Sequence, residues 1–63
     1  MDLSFDINIG HLVLEVTENN EGDKWHVVLF DNSHTPPEHL DTVGLETAQQ
    51  ILDYIRKVEN DYN

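Results

Sequence analysis

The chain is predicted to be a small α+β domain: a three-stranded antiparallel β-meander packed on one C-terminal α-helix (β-β-β-α). Three observations carry this reading. Polar and apolar residues alternate strictly near the start, turn residues separate the apolar runs that follow, and after Thr47 the apolar spacing becomes helical. A chain of 63 residues allows one domain, residues 1–63. At this size folding buries only about 60% of the surface that the unfolded chain exposes. With no cysteine there is neither a disulfide nor a thiolate metal site to staple the fold. Stability then rests on one core, and a homodimer or a partner is one way to extend it.

In the first element, Asp2, Ser4, Asp6 and Asn8 alternate with Leu3, Phe5, Ile7 and Ile9, the period of a half-buried strand. Gly10 punctuates. In "HLVLEVT", Leu12, Leu14 and Val16 point one way, and His11, Val13, Glu15 and Thr17 the other. "ENNEGD" is rich in residues that tolerate tight turns and reads as a hairpin loop. The third strand, "KWHVVLFD", is apolar on both sides, with Trp25, Val27 and Leu29 opposed to Val28 and Phe30. In the last segment Ala48, Ile51, Leu52, Ile55 and Val58 recur at helical spacing. Thr47 with Gln50 three residues later forms a capping-box pattern, so the helix is expected from Thr47 to about Asp61. Its stripe would close a core of Leu3, Phe5, Ile7, Leu12, Leu14, Val16, Trp25, Val27, Leu29, Ile51, Leu52, Ile55 and Val58.

Charge is the strongest compositional signal, thirteen acids against three Lys and Arg, a formal net charge of −10. Ten of the acids and one base fall in residues 1–46, so the acidity belongs to the strands and loops. Such a field repels nucleic acid and anionic membrane surfaces and attracts basic protein surfaces. No apolar run spans a bilayer and the N-terminus has no signal-peptide pattern. The expectation is a cytoplasmic protein with no direct nucleic-acid or membrane binding.

The sheet face turned away from the helix would carry Asp2, Ser4, Asp6, Asn8, Val13, Glu15, Thr17, His26, Val28 and Phe30. Carboxylates around an apolar centre suit a protein-binding face. Two other arrangements fit the same residues: the third strand in the reversed register, with Phe30 in the core, or a homodimer covering this face.

"SHTPPEHLD" is the stretch with the most chemical side chains. His34 and His39 have a zinc-ligand spacing, and Asp31, Glu38 and Asp41 lie near as oxygen donors. His11 and His26 fall on strands, with no reason in the sequence to converge there. A local account competes: Thr35 as N-cap, Pro36 at the first helical position and Glu38 reaching back to the cap, giving a short helical turn over 35–41. An extended polyproline-like turn is the other local form, because Pro37 disfavours the helical region for Pro36. There is no glycine-rich phosphate cradle, and Ser33 beside His34 does not aim a hydroxyl at an imidazole. The expectation is no enzyme, no catalytic residue and no cofactor, with His34 and His39 the weak metal candidates.

"GDKWHVVLFD" followed by "GLETAQQILDYI", Gly22 to Ile55, resembles the strand-loop-helix of HicB-type antitoxins and of the arm-binding domains of phage integrases. The integrase domain reads DNA with basic residues on its sheet, where this chain carries acids, so the resemblance implies the fold and not DNA binding. In type, a short, cysteine-free, strongly acidic α+β chain is similar to the small phage inhibitors of host defence or DNA-handling enzymes, anti-CRISPR proteins and other DNA mimics included. That resemblance implies a non-enzymatic inhibitor of a basic, nucleic-acid-handling protein, acting in the host cytoplasm if phage-encoded. Asp2, Asp6, Glu15, Glu18, Glu21 and Asp23 would form its acidic row, beside Val28 and Phe30. The alternatives are an antitoxin-like or adaptor module that uses its sheet face or helix, and a His/acid metal-binding loop.

Overall fold

The computed structural model of the chain describes residues 3–18 and 24–62. Its order is β1 (Ser4–Ile9), β2 (Leu12–Glu18), β3 (Trp25–Asp31), β4 (Glu38–Leu45) and α1 (Ala48–Tyr62). The four strands form one antiparallel sheet in sequential order, with the helix against one face. The α+β class, the three expected strands and the C-terminal helix are present, and a fourth strand is added. The hairpin loop "ENNEGD" falls largely on residues 19–23, outside the described residues.

β4 corrects the helical turn expected over 35–41. Its physical reason lies in β3, whose far-face residues Val28 and Phe30 are shielded to half-burial by side chains of a strand on either edge. β4 pairs along all of β3, from Trp25 with Leu45 to Asp31 with Glu38, and takes up backbone groups that would otherwise form an open edge. Leu29 pairs with Asp41 and Phe30 with His39, so Leu40 is an extra, bulged residue. The bulge lets Leu40 pack on the core while Asp41 also reaches the helix.

The β1–β2 hairpin turns through Gly10 and His11 alone, between paired Ile9 and Leu12. Gly10 has φ 59°, the positive value that II′ hairpins require at their first central residue. The core is Leu12, Leu14 and Val16 from β2, Val27 and Leu29 from β3, and Ile51, Tyr54 and Val58 from the helix. The third strand thus has the expected register, with Phe30 on the far face.

Thr47 caps the helix as its spacing predicts. The Gln50 amide donates to Thr47 Oγ1 at 3.3 Å, and Gln50 Oε1 accepts from the Thr47 amide at 3.1 Å and the Glu46 amide at 2.7 Å. The buried meridian differs from the expected stripe, because Tyr54 is buried while Leu52 is 52% exposed. Tyr54 Oη donates to Asp41 Oδ2 at 2.9 Å, which ties the helix to β4. The start of β1 is left uncovered, so Leu3 (52% exposed) and Phe5 (39%) are not core residues as the alternation had implied.

Candidate functional site

Because side chains alternate along each strand, the strand register fixes what shares the face away from the helix. One line across the sheet runs Asp6, Glu15, Val28, Thr42, and the next runs Asn8, Val13, Phe30, His39. Val13, Val28 and Phe30 are half-buried although the helix lies on the other side, because they shield one another and the rings around them help. The His39 ring meets Phe30 edge-on, with centroids 5.8 Å apart and planes at 69°, and its Nε2 lies 2.6 Å from Thr42 Oγ1. Asp6 and Glu15 are directly opposite each other. Like charges at such a position are destabilising.

A shallow hollow of about 220 Å³ opens on this face, lined by Asp6, Val13, Glu15, Phe30, Asn32 and Pro37. It is smaller than the ~300–1,000 Å³ of small-molecule sites. Two carboxylates form one side and apolar groups the other, room for one side chain with an apolar stem and a positive head.

The structure therefore brings together Asp6, Glu15, Val28 and Phe30 from the expected partner-binding set. It separates Glu18, which pairs with Trp25 and shares the side of Leu14 and Val16, so the acidic row does not continue through it. Asp2, Glu21 and Asp23 lie outside the described residues.

At the end of the sheet that holds the β1–β2 turn, a second cluster gathers. Asp31 Oδ1 accepts from the Ser33 hydroxyl at 2.6 Å and the Ser33 amide at 2.9 Å. These two bonds hold the Asp31 carboxyl below its usual range; slight burial opposes them, and the fields of His11 and His34 add to them. Asp31 Oδ2 lies 3.8 Å from His34 Nε2 and 4.0 Å from His11 Nε2, and His34 Nε2 is 3.4 Å from Glu38 Oε2. The expected pairing of His34 with His39 is not found, since β4 turns His39 onto the open face. His11, which the sequence assigned to a strand with no reason to converge on the loop, is instead in the hairpin turn beside Asp31. Its approach follows from the Leu12–Asp31 register, and the His11 carbonyl accepts from the Asn32 amide at 2.8 Å. Two separate turns meet here, a convergence that no local spacing encodes.

No family model, curated protein or solved structure matches the chain. No helix among the described residues is long and apolar enough to cross a membrane. The functional reading therefore rests on the two sites themselves.

Proposed function

We propose that the protein is a non-enzymatic inhibitor that binds a basic, nucleic-acid-handling protein through its open sheet face, in the manner of a DNA mimic. The observation that carries this reading is the cross-strand pair Asp6–Glu15 beside the half-buried Val28 and Phe30. A repulsive carboxylate pair next to apolar groups lowers stability, and a partner that inserts a cation between them relieves it. An Arg or Lys fits the adjoining hollow. Its head pairs with the two carboxylates and its stem lies along Val13, Phe30 and Pro37. The formal charge of −10 steers such a partner in from a distance.

The rival reading is an antitoxin-like or adaptor module whose acidity is incidental. Its support is the exposed apolar set Leu3, Phe5 and Leu52 on the helix side. The two readings separate with a partner captured from lysate of the source organism and then purified. Under mimicry, its affinity for the protein falls steeply between low and high salt, and double-stranded DNA or RNA displaces the protein. A flat salt response without competition assigns the adaptor role.

A further inference from the structure

We propose that His11, Asp31, His34 and Glu38 form a binding site for one divalent transition ion of the zinc type. The site is independent of the open face. One donor atom from each of Asp31, His34 and Glu38 lies within 4.8 Å of the other two, and His11 stands 4.0 Å from the same Asp31 oxygen that faces His34. An ion held tetrahedrally at about 2.0–2.1 Å from each ligand sets its donors roughly 3.3 Å apart. The His34 separations of 3.4 Å from Glu38 and 3.8 Å from Asp31 need contractions of at most about 0.5 Å, which small rotations of exposed side chains supply. His11, 4.0 Å from Asp31 but outside the group whose donors all lie within 4.8 Å of one another, swings in by a larger side-chain rotation. His11, His34 and Glu38 are each more than half exposed and free to make them.

Asp31 is the fixed point of the site, with a side chain only 17% exposed. Ser33 holds its Oδ1 with two hydrogen bonds, which leaves Oδ2 aimed between the two imidazoles. Anchoring of a ligating carboxylate by outer hydrogen bonds is how metal sites orient their first shell. Two neutral imidazoles and two carboxylates suit zinc, cobalt or nickel, and an ion bound there loses no affinity to the strongly negative field of the chain. The ion would tie the β1–β2 turn to the β3–β4 loop, a staple that a chain this short otherwise lacks.

The test is calorimetric titration of Zn²⁺ and of Co²⁺ into the full chain, with Co²⁺ absorption reporting coordination geometry. The expected result is one ion per chain and the visible bands of tetrahedral cobalt. Affinity should fall at least tenfold in His34→Ala and in Asp31→Asn, and about 10–100-fold in Ser33→Ala, which touches only the outer bonds. His39→Ala should be unchanged. Far-UV circular dichroism checks that each variant folds, and His34→Gln replaces His34→Ala if it does not. In the native chain, Zn²⁺ should shift the imidazole NMR signals of His11 and His34 and leave those of His26 and His39 in place. Absence of binding at micromolar metal, octahedral cobalt with no loss in Asp31→Asn, or equal losses in His39→Ala and His34→Ala would each overturn the proposal.

Discussion

Glu15→Lys is expected to make the protein more stable while weakening its binding. In the native sheet Glu15 faces Asp6 directly across β1 and β2 on a face the helix does not cover. Directly opposed side chains have Cβ atoms about 4.5–5.5 Å apart, and such pairs contribute roughly 0.2–1 kcal/mol, of either sign according to charge. Reversing one partner turns repulsion into attraction, a gain of about 0.5–1 kcal/mol, which for a domain of this size raises Tm by roughly 2–8 °C. The lysine stem also lies on the apolar neighbours of Glu15, so no packing is lost. Asp6→Lys should act alike, but the double variant Asp6→Lys/Glu15→Lys restores a like-charge pair. Its stability should therefore return close to native, short of the sum of the single gains by about twice one of them. That cycle separates the local pair from general relief of the −10 net charge, which would make the two changes additive. Thermal unfolding by circular dichroism at low salt measures all four proteins, and near 1 M salt, where the Debye length is about 3 Å, most of the single gains should vanish. Additivity within about 0.5 kcal/mol, or single gains that persist at high salt, would refute the reasoning.

Tyr54→Phe removes the bond to Asp41 that draws the helix onto β4. Hydrogen bonds to charged groups contribute about 1.5–3 kcal/mol, and because Asp41 is only half-buried the lower end is expected, measured by urea unfolding. Burial first, and the Asp41 contact second, push the Tyr54 phenol above its usual value of 10.0. The folded state thus holds the proton more tightly, and the stability this gives is full below pH 10 and lost as the pH climbs above it. Tyr54→Phe should flatten that alkaline decline. At the acid end the sign reverses for Asp31: its lowered value gives stability that is present above pH 3.8 and decays as the pH falls below it, and Ser33→Ala should shallow this decline. Thr47→Ala removes the N-cap and should cost about 0.5–2 kcal/mol, read as a drop in Tm together with faster amide exchange in the first helical turn.

The elements with uninterrupted period were legible. The alternation of β2 and β3 assigns Leu12, Leu14, Val16, Val27 and Leu29 to the core, and the Thr47–Gln50 spacing marks the helix start. β4 was hidden by its own bulge. Its apolar residues Leu40, Val43 and Leu45 sit three and then two apart, because one residue is inserted opposite β3, and this breaks the two-residue period that identifies a strand. Thr35-Pro36-Pro37-Glu38 meanwhile imitates a helix cap. A usable signal was present in β3: in a three-stranded meander it is an edge strand, and a long apolar edge leaves unpaired backbone groups and exposed Val28 and Phe30 that a fourth strand covers. The buried face of the helix lies a fraction of a turn from the apolar stripe, because Tyr54 carries a polar group whose partner, Asp41, belongs to β4. Of the candidate sites, the open face followed from strand parity, so Asp6, Glu15, Val28 and Phe30 were identifiable. The His11–Asp31 approach was not, since it depends on two turns lying at the same end of the sheet.

The claim that the open face binds a basic partner through its carboxylates is tested most directly with the double variant Asp6→Lys/Glu15→Lys, whose stability should be near native. Its affinity for the purified partner at low salt is compared with that of the native chain by surface plasmon resonance. Losing charged partners at a desolvated contact costs about 2–5 kcal/mol, so a fall of at least about 30-fold is expected in the folded variant. An affinity within about threefold of native would contradict it.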